Sequence, residues 1–294
     1  MELRQLEYFV AVAAELNFSR AAQRIHVVQS ALSASVGRLE KELGVDLFDR
    51  SKRQIALTTA GEVFLDHARE VMLAAHRAES SIAEYRGQLM TTVALGTLMT
   101  WGKVNLPAAL EEFRQSYPKV TVRLRQNTTG SAGHLAAIAD GQMDLALVSI
   151  PSPRSPLVTV RELTREPMVF VCDATHPLAR RKRLPLVDLA GQDLIQFPLG
   201  WGIREHVDAG FAAVGAQPVS AFEVADYAIA AELIRHRLAT TILPVSVADR
   251  FPDLRKIDVD PPLVWTMFIA SVGPQFTNRA IDALADIITR HVDH

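Results

Sequence analysis

With one cysteine in 294 residues, Cys172, the chain has no internal disulfide, thiol redox pair or cysteine-based metal cluster. A reducing, cytoplasmic setting is therefore expected. It also lacks any run of about 18 apolar residues, and its first thirty residues interleave charge with apolar side chains, so neither a membrane span nor a secretory leader is expected. Neither sign of charge dominates: 31 Lys+Arg stand against 33 Asp+Glu, a formal −2, so no global field attracts a polyanion and any such contact must be built locally. The nine histidines are scattered without metal-ligand spacing, and neither an HExxH nor a GxxxxGK[ST] pattern occurs. No metal and no cofactor are expected.

Proline is missing from residues 1–90, and all 15 prolines follow, beginning at Pro107. That asymmetry marks a boundary near residue 90. Before it the apolar spacing is helical: Leu3, Leu6, Phe9, Val10 and Ala13 form one stripe. After it, Val93–Leu95, Val120–Leu124, Leu145–Ser149, Met168–Val171, Leu194–Gln196, Val219–Val224, Thr240–Leu243 and Val264–Ala270 read as strands. Helical patterns separate most of them, which predicts parallel βαβ units. Two proline clusters, Pro151/Pro153/Pro156 and Pro261–Pro262, interrupt the alternation and predict two lobes with the chain crossing twice. The expected division is 1–58, 59–90 and 91–294, the last split into one lobe of 91–160 with 263–294 and another of 161–262. A cleft between such lobes is a usual small-ligand site.

In the first part, Ser19 is a candidate N-cap for a helix over Arg20–Ile25. After a turn, a second helix from Ser30 puts Leu32, Val36, Leu39 and Leu43 on one face and Ser30, Ser33, Ala34, Gly37 and Arg38 on the other, with Gly44 placed to end it. A compact polar face of this kind suits the DNA major groove, with Gln29 and Ser33 positioned for base edges. Arg50, Lys52 and Arg53 add local positive charge beside an alternating Ile55–Leu57 segment, a candidate wing strand. Charge alone says little, since residues 1–60 carry eight cations against seven acids.

Thr59-Ala60-Gly61-Glu62 has the form of a capping box, and behind it Phe64, Ala68, Val71, Ala75, Ala78, Ile82, Tyr85 and Leu89 follow alternating steps of four and three, the seam of a paired helix. Two copies joined along that seam, parallel or antiparallel, would present two reading helices to a roughly palindromic site.

The segments Leu3–Phe9, Asn17–Ala22, Gln29–Ser33, Leu39–Arg50 and Leu57–Glu62, taken together at their spacing, resemble the N-terminal signature of LysR-type transcriptional regulators. Downstream, Leu106-Pro107, Phe113, Tyr117-Pro118, Gly141–Asp144, Gly202-Ile203-Arg204 and Leu243-Pro244 extend the resemblance over nearly the whole chain. It implies an N-terminal, all-α winged helix-turn-helix, a long linker helix that dimerises, and a C-terminal α/β effector domain of two subdomains resembling periplasmic binding proteins. It further implies dimers or tetramers, double-stranded DNA and RNA polymerase as partners, and a small-molecule effector. On the reading helix Ser30 and Ala34 stand where the family often has proline and then arginine, and Arg237–Thr241 replaces a glycine-rich stretch.

The resemblance also makes the Thr100 hydroxyl an effector contact, although Thr100 suits a helix cap equally well. Thr128, Thr129 and Ser131 follow a strand and precede a helix, where hydroxyls and backbone N–H groups converge on an anion. Ser149 ends the next strand. From the other lobe, Phe197, Trp201 and Arg204 are candidates to face the cleft, and with Trp101 they suggest an organic acid, aromatic in kind. An enzyme or a simple binding protein using the same cleft is the alternative. Cys172 and His176 are the nucleophile and base that could be proposed for it, and they have no recognisable orienting partner in the sequence.

Overall fold

The computed structural model describes residues 1–51, 55–85, 92–126, 129–150, 155–273 and 279–292. Three helices, α1 (Leu3–Glu15), α2 (Phe18–Arg24) and α3 (Gln29–Leu43), precede two short antiparallel strands, β1 (Phe48–Asp49) and β2 (Ala56–Leu57), which form the wing. Their core is aromatic. Phe9 lies 5.4 Å from Phe48 and 5.2 Å from Phe64, and Phe18 meets Phe48 at 5.8 Å, tilted and edge-on contacts favoured by ring quadrupoles. The cap of α2 is Asn17, whose side chain accepts from Arg20 N at 3.0 Å, and not Ser19, which lies exposed inside the helix. Burial of Phe18 sets that register, because the helix must begin early enough to turn the ring inward. Gly44 ends α3 at φ +69°, a conformation that costs a side chain but not glycine.

The long helix α4 spans Thr59–Tyr85. It is capped one residue earlier than the sequence suggests: Thr58 Oγ1 accepts from Gly61 N at 3.0 Å. The expected seam also divides. Phe64 and Ala68, expected on the seam between two copies, are absorbed into the core of the first domain. Val71 is 41% exposed and Ala78 is exposed, whereas Ala75 is half-buried. Ile82 and Tyr85 fall where side chains are not described, and Leu89 lies outside the described residues.

The remainder is α/β. One sheet runs β4 (Thr121–Arg125), β3 (Thr92–Gly96), β5 (Leu145–Val148), β12 (Val264–Val272), β6 (Val158–Cys172), β11 (Arg255–Asp260), β7 (Arg183–Pro185), with β10 (Thr241–Pro244) also on β6. A second, parallel pair joins β8 (Asp193–Gln196) to β9 (Val219–Glu223). The expectation of uniformly parallel units is corrected. β3 is parallel to β4 and β5, but β12 runs antiparallel to both β5 and β6, and β10 and β11 run antiparallel to β6. The first passage between lobes runs inside one strand, since β6 pairs with β12 up to Pro167 and with β10 and β11 from Met168 on, and the chain passes back between β11 and β12. Flanking helices are α5 (Leu106–Ser116) against α10 (Arg279–Arg290), α6 (Gly130–Ala139) over β5, and α7 (Gly202–Ala213) and α8 (Tyr227–Arg235) on the second lobe, with the short α9 (Val245–Ala248) after β10.

Candidate functional sites: a reading helix and an inter-lobe cleft

On α3, burial of Leu32, Val36 and Leu39 forces the opposite face outward, so Gln29, Ser30, Ala34 and Arg38 are exposed and Ser33 is half-buried. No side chain caps the start of α3, so its first N–H groups point outward with the positive end of the helix dipole. The neighbouring cations are largely engaged. Arg20 pairs with Glu15, its NH2 group also donating to the Glu15 carbonyl at 2.6 Å. Arg50 donates to Glu40 at 2.6 Å and lies over the Phe18 ring. Glu40 also accepts from Leu47 N and Phe48 N, so Arg50 helps fix the turn into the wing. Lys52 and Arg53 lie outside the described residues.

The second site is a cleft where the lobes meet, about 400 Å³ of space counted together with its opening to solvent. One side comes from Thr97, Leu98, Met99, Gln126, Gly130, His134 and Ser149, the other from Trp201, Gly202, Ile203 and Tyr227, with Trp265 of β12 also lining it. The lobes touch closely. A β-carbon at Gly202 would fall 1.8 Å from Ser149 Oγ, so only glycine fits there. Ser149 N donates to Ser131 Oγ at 2.9 Å, and the two hydroxyls lie 3.3 Å apart. His134 Nε2 lies 3.1 Å from the Thr97 carbonyl, which can only accept, so that nitrogen carries the proton. Burial lowers the imidazole pKa and keeps it neutral, only partly opposed by this hydrogen bond.

Of the residues the sequence nominates, Ser149 and Trp201 line the cleft and Ser131 stands directly behind Ser149. Thr129 caps α6 by position. Thr100 turns its Oγ1 to Gly102 N at 3.3 Å, a local bond, and Trp101 packs on the core; neither lines the cleft. Phe197 lies behind Trp201 in a stacked pair. Arg204 is corrected more sharply: its Nε donates to Asp208 at 2.6 Å and its NH1 to the Phe197 carbonyl, placing it on a smaller hollow behind α7. Thr128 lies outside the described residues. The sequence reading missed Tyr227, Trp265, His134 and Gln126. Glu166 it also missed, a buried carboxylate that accepts from Ser246 N and Oγ, both at 2.7 Å, near the lobe crossing.

The cleft connects to the linker helix through α6. Gly130 lines the cleft at one end of this helix, and Asp140, its C-cap, lies at the other. Asp140 accepts from Arg69 of α4 at 2.7 and 2.8 Å, and their side chains are only 3% and 12% exposed. Burial pushes the Asp140 carboxyl pKa up, against the pull of Arg69 and, less directly, of Arg24 on α2. Leu73 of α4 is buried with Leu135, Ile138 and Met143 beside this ion pair.

Two family models cover these parts: "Bacterial regulatory helix-turn-helix protein, lysR family" matches residues 3–62, and "LysR substrate binding domain" matches 86–293. The chain belongs to the LysR family. It is a DNA-binding transcriptional regulator with an effector-binding domain. It is 34% identical to the transcriptional dual regulator GltC of Bacillus subtilis over 267 residues, 90% of this chain and 88% of that one. Among solved structures it is similar to a full-length OxyR variant from Pseudomonas aeruginosa, with a TM-score of 0.66, 25% identity, and 100% and 98% of the two chains covered. It is also similar to full-length CbnR complexed with its target DNA, with a TM-score of 0.54, 28% identity and 99% of both chains covered.

Proposed function

We propose that this LysR-family regulator works as a dimer or tetramer on a roughly palindromic operator, in the cytoplasm and together with RNA polymerase, and that a small organic acid in the inter-lobe cleft controls it. Gln29, Ser30, Ser33, Ala34 and Arg38 face the groove, with Ser19, Arg20 and Arg50 around them, and Lys52 and Arg53 add DNA contacts. Thr129, Ser131, Ser149 and Trp201 serve the effector. The observation that carries this reading is the continuity of α6, which borders the cleft at Gly130 and holds the linker helix at Asp140. A ligand that resets the lobes moves that anchor, and the free-energy difference between the two arrangements is what the operator reads.

Footprinting on the DNA flanking the gene, with and without organic acids, tests it. Protection of two half-sites about one helical turn apart is expected, falling steeply as salt rises, with an altered pattern when an acid is present. No protection at low salt overturns the operator reading, and protection that no acid alters overturns the effector reading.

A further inference from the structure

The walls of the cleft specify more than an organic acid. Among its described lining residues there is no lysine, arginine, aspartate or glutamate. Its two titratable side chains, His134 and Tyr227, are both kept neutral by burial, which lowers the imidazole pKa and raises that of the phenol. What positive potential exists comes from backbone. α6 and α7 begin at Gly130 and Gly202 on opposite walls, and no side chain caps either. Each helix start is equivalent to roughly half a positive charge, so the pair offset about one negative charge and leave a second one unbalanced in an apolar enclosure.

The uncommitted donors agree. Ser131 and Ser149 share one hydroxyl–hydroxyl hydrogen bond, so one of their two hydrogens is left over. Either hydroxyl can donate in that bond; because Ser149 lines the cleft and Ser131 does not, we assign the shared hydrogen to Ser131, which leaves the Ser149 hydrogen for the cleft. The indole N–H of Trp265, in a residue only 2% exposed that also lines the cleft, is buried without a hydrogen-bond partner. Trp201, Tyr227 and Trp265, with Leu98, Met99 and Ile203, supply flat apolar surface around these donors.

We propose that the cleft selects an aromatic monocarboxylate: one carboxylate seated between the starts of α6 and α7 on the Ser149 hydroxyl, and an uncharged ring system against the aromatic wall. Dicarboxylates and phosphate esters are rejected because the described lining offers no cation to balance their additional charge. This inference rests on the cleft being the effector site.

The test is a panel with one ring body and varied charge, 2-naphthoate, 2-naphthamide and naphthalene-2,6-dicarboxylate, titrated against the full-length protein by calorimetry and tryptophan fluorescence. Naphthoate is expected to bind about tenfold or more tightly than either companion, and Ser149→Ala to remove about tenfold of its affinity while barely changing that of the amide. Trp265→Phe, which removes the indole N–H together with the pyrrole half of the ring and leaves a smaller aromatic side chain, is a second variant should Ser149→Ala fold poorly, and is expected to weaken naphthoate binding as well. A dicarboxylate or amide binding as tightly as naphthoate, yet weakened by these variants, overturns the single-charge inference and leaves the cleft in place. Naphthoate binding that neither variant changes overturns the cleft itself as the site. Failure of the whole panel to bind overturns the aromatic body.

Discussion

Cys172 shows how position decides what a residue can do. It is buried on β6, and burial, reinforced by Asp173, pushes its thiol pKa up to about 11. At neutral pH the reactive thiolate is then on the order of one part in ten thousand. The native protein is expected to resist a thiol reagent such as dithiobis-nitrobenzoate until denatured, and Cys172→Ser to leave operator affinity unchanged; prompt labelling of the folded protein would contradict this. His134 gives a pH dependence whose sign follows from its surroundings. Its folded pKa lies below 6.5, so the unfolded chain takes up a proton that the folded one refuses. Its contribution is whole above about 6.5 and is lost as pH falls through the lower folded value. His176 shifts the same way, also through burial. Thermal denaturation between pH 7.5 and 5.5 should therefore show falling stability, with a shallower slope in His134→Gln. An unchanged slope would mean that His134 takes up its proton as readily in the folded chain as in the unfolded one. Which residues line the cleft was only partly legible in sequence. Ser149 and Trp201 end strand-like runs, whereas Trp265 and Tyr227 reach the same cavity from distant segments that no local spacing connects. For Arg204 the warning was local: Asp208 lies four residues on along one helix face, where a guanidinium pairs before it can reach a ligand.

Helix α4 carries two packing patterns in one stretch. Periodicity found the helix and its apolar positions, but not which neighbour claims each, because that depends on surfaces folded from other segments. Phe9 and Phe48 take up Phe64, and the effector domain takes up Leu73. What is left outward along the helix is Val63, Val71, Ala74 and Ala78, a stripe of three- and four-residue steps interrupted by His67. This stripe, and not the Phe64–Ala68 end of the expected seam, is where a second copy would pack. Val71→Asp is expected to turn a dimer into a monomer in sedimentation at micromolar concentration, with a circular dichroism spectrum and melting of the first domain nearly unchanged, since the residue already meets solvent. A dimer that survives the charge would place the pairing surface elsewhere. The long strand β6 makes the same point for sheets: only its Met168–Val171 end reads as a strand in the sequence, whereas the strand begins at Val158. Pro167 is accommodated where the pairing passes from β12 to β10, so the chain crosses between lobes without leaving the strand.

Across the whole molecule, the Arg69–Asp140 pair ties the linker helix to α6, which borders the cleft at its other end. Removing one partner of a buried ion pair strands the other charge, at a cost of roughly 3–5 kcal/mol, whereas replacing both with apolar side chains of similar size is close to neutral. Asp140→Ala is thus expected to destabilise the chain by about 3 kcal/mol in urea denaturation, and Arg69→Met with Asp140→Leu to recover most of the loss. The double variant then separates two roles for the contact. If α6 transmits the state of the cleft to α4 through a directional anchor, the double variant should bind 2-naphthoate and operator DNA about as tightly as the parent, while the ligand no longer changes the footprint. A ligand effect that persists in the double variant would show that apolar packing of Leu73 against Leu135 and Ile138 suffices to carry the signal, and that the ion pair serves stability alone.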